Sequence, residues 1–378
     1  MKTVVIAEYA RSPFTPARKG ALAGVRSDEM VAQLVRRLVE RSKVKPEDIE
    51  DLILGCAFPE GEQGLNPARL IVLLAGLPHS VGGQTINRFC GSSMQAIHAA
   101  AGAIQLGAGE VFICAGVESM TRVPMMGFNP LPHPGLARTL PGAYLGMGDT
   151  AENVARQWDL DRAQQDAFAL RSHQKAAEAQ GQGRLKDEIV AIDTGKGEVV
   201  VDGCIRADTT LEALAQLKPA FDQTGTVTAG TSSPLTDGAA AVLVCSADYA
   251  ERNGLKPLAR IVSVAVAGCE PEIMGIGPVA ASRKALARAG IKADALDVVE
   301  LNEAFASQSL ACIHDLGLDL EKVNIDGGAI AIGHPLGATG ARITGKAASL
   351  LQRRGGRYAL ATQCIGGGQG IATVLEAV

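Results

Sequence analysis

Two aligned stretches decide how this chain is read: Ile49-Glu50-Asp51-Leu52-Ile53-Leu54-Gly55-Cys56-Ala57-Phe58 and Leu296-Asp297-Val298-Val299-Glu300-Leu301-Asn302-Glu303-Ala304-Phe305. Each follows a helical stretch and an acidic turn, runs through a short apolar segment and ends on Ala-Phe. A short apolar run bounded by turn residues predicts a buried strand. Two such units at matching positions predict a duplicated βα building block, and so two similar halves.

Working outward, the pattern repeats. Strands are predicted at 3–7, 49–56, 84–87 and 111–115, and helices at 28–43, 66–75 and from Ser92 to about Leu106. The last third repeats that logic. Strands are predicted at 257–267, 296–301 and 358–363, and helices at 278–289, 305–316 and 341–353. Gly290 reads as a helix C-cap. Helices alternating with apolar strands imply an α/β protein whose sheet is covered on both faces. Between the halves Pro and Gly cluster from 124 to 148, and a polar helix is expected over 150–180, opened by Asp149 or Thr150. The expected organisation is an N-terminal core half at 1–118 completed by about 233–256, an inserted loop domain at 119–232, and a C-terminal core half at 257–378. Long insertions in compact enzymes usually carry binding function.

Composition narrows the function. Apolar residues make up 47%, so a large core can be buried, while aromatics are 3%. A net charge of −4 without a basic stripe argues against nucleic acid as a main partner. Eight cysteines, at 56, 90, 114, 204, 245, 269, 312 and 364, include no Cys-x-x-Cys pair, so no metal site is expected. No apolar run reaches the roughly 18 residues of a membrane span. The start reads as a strand rather than a signal sequence, so a cytoplasmic protein with reduced thiols is expected.

Cys90 stands in Asn87-Arg88-Phe89-Cys90-Gly91-Ser92-Ser93-Met94-Gln95-Ala96, just before a helix. The helix N-terminus would lower the thiol pKa and favour a nucleophilic thiolate, although a lone cysteine there is more often a small buried hydrophobe. Three more segments place chemistry just beyond strand ends: Asn302 to Ala306, the Gly-rich run from Gly327 to Gly340 holding His334, and Cys364-Ile365-Gly366-Gly367-Gly368-Gln369-Gly370. That sheet edge is where open α/β folds bind ligands. Taken singly, Asn302 reads as a cap, His334 as a core histidine and Cys364 as an inert thiol.

Together, with Gly225 to Ser233, Asp237 to Ala241 and Met274 to Pro278, these segments resemble the thiolases, end to end and in order. The Asn302-Glu303-Ala304-Phe305 segment and Cys364 separate the pattern from the related ketoacyl synthases. The resemblance implies a five-layered αβαβα fold. It implies Cys90 as the acyl-carrying nucleophile, His334 as its base and an oxyanion-hole donor, and Cys364 as the acid/base at the carbanion. It further implies Asn302 as the holder of an oxyanion-hole water, and the backbone of Gly366 with that of Cys90 as a second hole. Coenzyme A is implied as substrate, with no permanently bound cofactor. Arg206 would meet its nucleotide end, Ala229 and Ser233 its pantetheine arm, and Met147, Met274 and Phe305 would wall the acyl channel.

The segment Gly146-Met147-Gly148-Asp149-Thr150-Ala151-Glu152 puts glycine where acetoacetyl-CoA thiolases commonly have histidine. With His133-Pro134-Gly135-Leu136 and Ile205-Arg206-Ala207-Asp208, it is closer to bacterial 3-ketoacyl-CoA thiolases (acetyl-CoA C-acyltransferases) of fatty-acid β-oxidation. The alternatives are an acetoacetyl-CoA thiolase working in the condensing direction and a non-catalytic acyl-CoA or lipid carrier. A homodimer or homotetramer is expected, as is possible membership of a β-oxidation complex.

Overall fold

The computed structural model describes residues 2–378. Its main elements are β1 (Val4–Arg11), α1 (Ser27–Ser42), β2 (Asp51–Gly55), α2 (Pro67–Leu74), β3 (Gly82–Ile86), α3 (Ser92–Leu106), β4 (Val111–Ser119), α4 (Met147–Gln157), α5 (Arg162–Gly181), β5 (Thr236–Ser246), β6 (Ala259–Gly268), α6 (Gly277–Ala289), β7 (Val298–Leu301), α7 (Ala306–Leu316), α8 (Leu336–Arg354), β8 (Tyr358–Ile365) and β9 (Gln369–Glu376). Gly290 caps α6 in the left-handed conformation, φ 68°, as its position after the last periodic residue predicts.

The strands run in the order β7-β8-β9-β6-β1-β5-β4-β2-β3, with the two-residue strand Thr15–Pro16 added beside β5. The chain duplication is visible in the pairing. In the first half β3, β2 and β4 are parallel, and β5 and β1 follow antiparallel. In the second, β7 and β8 are parallel, and β9 and β6 follow antiparallel. Val323 bridges to Val299 where β3 would lie. Asp51 faces Phe112 and Val298 faces Ala359, so aligned residues of the two halves have aligned partners. The halves join through β1 and β6 over two residue pairs, Val5 with Arg260 and Ile6 with Ala259.

Five layers follow from how the apolar faces are covered. One core lies between the first half-sheet and α1 with α2, around Leu34, Leu38, Leu54 and Ile71. A second, around Ile97, Ile104, Ile343 and Leu351, packs α3 and α8 between the two half-sheets. A third, around Val279, Leu286, Leu301 and Val374, lies under α6 and α7. α8 is buried over most of its length, as a central helix must be.

Three expectations need correction. The helix expected over 150–180 is two helices. The chain turns at Asp159, φ 51°, and Asp161 opens α5 with a reciprocal capping box, accepting from the Gln164 N–H at 2.8 Å while Gln164 accepts from the Asp161 N–H at 2.9 Å. α4 starts earlier than expected, capped by Gly146, so Asp149 lies in the first turn rather than at the cap. β5 and β9 were not predicted as strands. β5 is buried at every position, so its sequence shows no in–out alternation.

The segment between β4 and β5 is tied to the core by buried ion pairs. Arg11 grips Asp202 through Nη1 at 2.7 Å and Nη2 at 2.8 Å, and Glu188 through Nε at 2.8 Å. Lys346 of α8 binds Glu188 and Asp326, both at 2.8 Å.

α8 meets the ends of β2 and β4 at backbone contact distance. A Cβ on Gly116 would lie 2.1 Å from the Gly337 carbonyl oxygen and 2.6 Å from Ser93 Cβ. Gly116→Ala therefore must push two rigid elements apart, at a cost of about 1–3 kcal/mol. The expected result is a clearly lowered melting temperature, read by circular dichroism. An unchanged melting temperature would mean that this contact does not set the layer spacing.

Candidate active site

The duplication places two reactive side chains at related positions. Cys90 immediately precedes the N-terminal turn of α3, and His334 that of α8. The two N-termini meet: the Ser93 hydroxyl accepts from the Ala341 N–H at 2.8 Å, and a Cβ on Gly340 would lie 2.3 Å from Met94 N. Cys90 packs against Ala57, Met120 and Leu336, the last being two residues from His334.

The turn holding Cys90 is locally built. Phe89 has φ 43°, an uncommon conformation for a bulky side chain. Its N–H donates to Asn87 Oδ1 at 2.7 Å, and the Ser92 hydroxyl donates to its carbonyl at 2.6 Å. Gln363 Nε2 donates to the Cys90 carbonyl, tying the turn to β8. The backbone amides of Gly366 and of Cys90 itself favour the charged form of the Cys90 sulfur.

On the other wall Gly333, φ 111°, makes the turn before His334, whose N–H donates to the Thr236 hydroxyl at 3.0 Å. The imidazole is held at both nitrogens: Nδ1 lies 2.6 Å from Thr339 Oγ1, and Nε2 lies 3.3 Å from Asn302 Nδ2. The Thr339 hydroxyl donates to the Pro335 carbonyl at 3.2 Å, so it accepts from Nδ1–H. Nε2 then carries the lone pair, the tautomer a base needs, and accepts from Asn302 Nδ2–H at that 3.3 Å contact. The Asn302 Oδ1 atom is buried and finds no protein partner.

Cys364, on β8, sits among Met147, Ala151, Val227, Met274, Ala304 and Phe305. Its thiol is pushed well up, first by burial and then by the neighbouring Cys90 sulfur. The fold thus brings Cys90 near Cys364 and Gly366 and His334 against Asn302. Leu336, two residues after His334, belongs to the cluster on which Cys90 packs, and Met147, Met274 and Phe305 cluster with Cys364. Ser233 lies beside them, its N–H donating to the Ala304 carbonyl at 3.0 Å. Ala229 is exposed on the preceding turn. Arg206 stands apart: it is exposed, its backbone N–H donates to His173 Nδ1 at 3.2 Å, and no hydrogen bond or apolar cluster joins it to the sulfur site among the described residues.

One expectation is reversed. The Cys90 thiol is not lowered by the helix terminus; burial pushes it up to about 12, against the pull of the Gly366 N–H and its own. Burial holds His334 down to about 3, with Arg342 adding to the effect. Desolvation penalises both charged forms at once and favours a neutral thiol and a neutral imidazole, although Cys90 keeps part of its surface open.

Thr236, Thr339, Gln363 and Glu118 were not singled out from sequence. Thr339 could have been found by its place one helical turn after His334; the other three reach the site through long-range pairing that no local pattern carries. No cluster of three or more metal-ligating side chains occurs among the described residues, and no described helix is long and apolar enough to cross a membrane.

A duplicated layered α/β scaffold with a thiol and an imidazole at twin helix N-termini defines a covalent acyl-transfer enzyme. The description "Thiolase, N-terminal domain" matches residues 4–248, and "Thiolase, C-terminal domain" matches 255–377. The chain is 50% identical to the 3-ketoacyl-CoA thiolase of Idiomarina loihiensis and 47% identical to that of Bacillus subtilis, over 100% of this chain and 100% of each relative. The crystal structure of human mitochondrial 3-ketoacyl-CoA thiolase in complex with CoA superposes with a TM-score of 0.92 at 39% identity, covering 100% of this chain and 98% of that one. The Bacillus anthracis acetyl-CoA acetyltransferase superposes with a TM-score of 0.91 at 42% identity, covering 100% and 99%. The chain belongs to the thiolase family.

With the thiol raised by burial, its thiolate fraction grows with pH throughout the neutral range. Alkylation of Cys90 by iodoacetamide in the free enzyme is expected to accelerate steadily from pH 7 to pH 9. A rate already level at pH 7 would instead indicate a resting thiolate–imidazolium pair.

Proposed function

We propose that this protein is an acetyl-CoA C-acyltransferase that cleaves 3-ketoacyl-CoA with free CoA into acetyl-CoA and a shortened acyl-CoA. The observation that carries the reading is the oriented imidazole of His334: Thr339 lies against Nδ1 and Asn302 against Nε2, and the residue stands two before Leu336, whose cluster holds Cys90.

The Cys90 sulfur attacks the 3-keto carbon while His334 Nε2 takes the thiol proton. The alkoxide that forms is met by hydrogen-bond donors, each typically worth about 3 kcal/mol of barrier. The C2–C3 bond then breaks, leaving an acyl thioester on Cys90 and the enolate of acetyl-CoA, which Cys364 protonates at C2. In the second half CoA gives its thiol proton to the Cys364 thiolate and attacks the thioester. Acyl-CoA leaves, and Cys90 recovers its proton from the His334 imidazolium. Both halves balance, and the scheme is ping-pong. Backbone N–H groups of Cys90 and Gly366 serve one oxyanion. Asn302, whose buried Oδ1 has no protein partner, suits a water that, with His334, serves the other.

CoA is read as substrate. Met147, Met274 and Phe305 form a flexible apolar wall suited to variable acyl tails, and Ser233 and Ala229 border it. Arg206, exposed and outside that cluster, is suited to the distant nucleotide phosphates. The 119–232 segment is read as the loop domain that closes over the substrate. The degradative, β-oxidation direction is favoured over acetoacetyl-CoA condensation by the names of the relatives at about half identity and by glycine at 146. We place the enzyme in the cytoplasm as a homo-oligomer.

The test separates the two thiols. Cys90→Ser should abolish the covalent acyl adduct seen by intact mass. Cys364→Ala should still acylate Cys90 from a saturated acyl-CoA, yet lose about 10²–10⁴-fold in thiolysis. Thiolysis across 3-ketoacyl-CoAs of graded length should extend beyond acetoacetyl-CoA; activity confined to acetoacetyl-CoA would reverse the subtype, and a Cys90→Ser variant acylated at the wild-type rate would remove the nucleophile assignment.

A further inference from the structure

We propose that Glu118 is the positioning residue that fixes the His334 base against the Cys90 nucleophile; the proposal rests on those two roles. Glu118 closes β4 and is about 1% exposed, a costly place for a carboxylate unless every lone pair is used. They are used, and the donors come from both halves of the molecule. Oε2 accepts from the Ala57 N–H at 2.8 Å and from the Gly337 N–H at 3.0 Å. Oε1 accepts from Gln63 Nε2 at 2.8 Å and from the Phe58 N–H at 3.2 Å, with the Cys56 thiol at 3.7 Å. Burial raises its pKa above the usual carboxylate range, and all of these groups are donors that work against burial to favour the ionised carboxylate.

These donors are the walls of the nucleophile's pocket. Ala57 and Leu336 belong to the cluster against which Cys90 packs, and Leu336 lies in sequence between the Glu118-held Gly337 and His334. Phe58 stacks obliquely on Phe89, with ring centres 6.0 Å apart, and Phe89 is the strained residue directly before Cys90. One carboxylate therefore grips the first turn of the helix that carries the base and the loop that backs the nucleophile. It does so where α8 is closest to the sheet: a Cβ on Gly337 would lie 2.5 Å from the Val117 carbonyl oxygen and 2.8 Å from that of Gly55. Hydrophobic packing sets a separation but not a register between helix and strand; a shared acceptor sets both. The titratable groups facing the carboxylate are the Cys56 and Cys90 thiols, and its charge also bears on the Cys90 sulfur.

Glu118→Gln keeps the shape but puts an NH2 group against at least one row of donors. It should lower kcat for thiolysis about 30–100-fold while KM moves by no more than about threefold, the signature of a misplaced base rather than lost binding. Because a negative charge near Cys90 is removed, alkylation of Cys90 by iodoacetamide at pH 9 should run about 3–10-fold faster; a purely structural loosening would not give this combination. A folded variant with kcat within about twofold of wild type overturns the proposal, and so does a fall in kcat without faster alkylation. Should the variant not fold, Gln63→Met strips one donor from Oε1 and leaves Gly337 held. It should then cost about 3–10-fold in kcat, and unchanged kcat overturns the proposal. If wild type thiolyses no 3-ketoacyl-CoA, the functional reading fails, while the alkylation comparison still decides the role of Glu118.

Discussion

Everything in this molecule depends on the contact between the N-terminal turns of α3 and α8 in the middle layer. Two helices can bring their ends together between two sheets only where the side chains nearly vanish. Hence Gly116 and Gly337 face each other across the β4–α8 contact, and Gly340 lies on the backbone of Met94. Ser93 spends its hydroxyl on the Ala341 N–H instead of solvent. The contact is backbone on backbone, which leaves little room for the ends to shift. A catalytic pair needs such precision, because a misplacement of about 1 Å can cost some 10²-fold in rate.

Duplication explains why the chemistry lies where it does. Each half supplies one central helix whose N-terminus opens at the carboxyl ends of its parallel strands, the general ligand-binding edge of α/β sheets. The halves then diverged at that edge. The first half has Cys90 before its helix, and the second has His334. Asn302 stands at the position aligned with Gly55, and Glu303 at the position aligned with Cys56. Glu303 is itself a buried carboxylate, accepting from Ser172 Oγ at 2.6 Å and Asn324 Nδ2 at 2.7 Å. It braces the Gly328–Ile330 turn ahead of His334, accepting from the Ile330 N–H at 3.2 Å. Glu118 braces the turn after it. The Gly-rich run around His334 is therefore supported on both sides by carboxylates from different halves.

Much of this was legible in the sequence, for identifiable reasons. The parallel strands β2, β4, β7 and β8 are short apolar runs, and the duplicated stretch through β2 and β7 gave the register between halves. Cys90, His334, Asn302 and Cys364 stand in Gly-rich segments beyond strand ends and are marked by chemistry that packing does not explain. β5 was hidden because Ala and Gly, poor strand formers alone, are what tight helix–sheet packing on both faces selects. The braces were hidden because they are long-range: Glu118 and Gly337 are 219 residues apart. The protonation of Cys90 was misread for a related reason. The helix-terminus rule is local, whereas burial is a property of the assembled layers, and here burial outweighs it.

That reversal constrains the first chemical step. A neutral thiol beside a neutral imidazole resists forming an ion pair in a buried site, because desolvation opposes both charges. On the proposed mechanism, proton transfer from Cys90 to His334 therefore becomes favourable only as a third group takes up the negative charge. The substrate's carbonyl oxygen does this during attack, so deprotonation and C–S bond formation are coupled. Once protonated, Nε2 changes from acceptor to donor and can itself stabilise an oxyanion, alongside the donors already fixed in place. On the proposed mechanism the same nitrogen thus serves as base before the step and as electrostatic support after it. Water reaching the thiol would relieve the desolvation and uncouple these events. On that mechanism the cluster of Leu336, Met120 and Ala57, against which the partly buried Cys90 packs, contributes to the chemistry by favouring the protonated thiol until an acyl group is there to receive it.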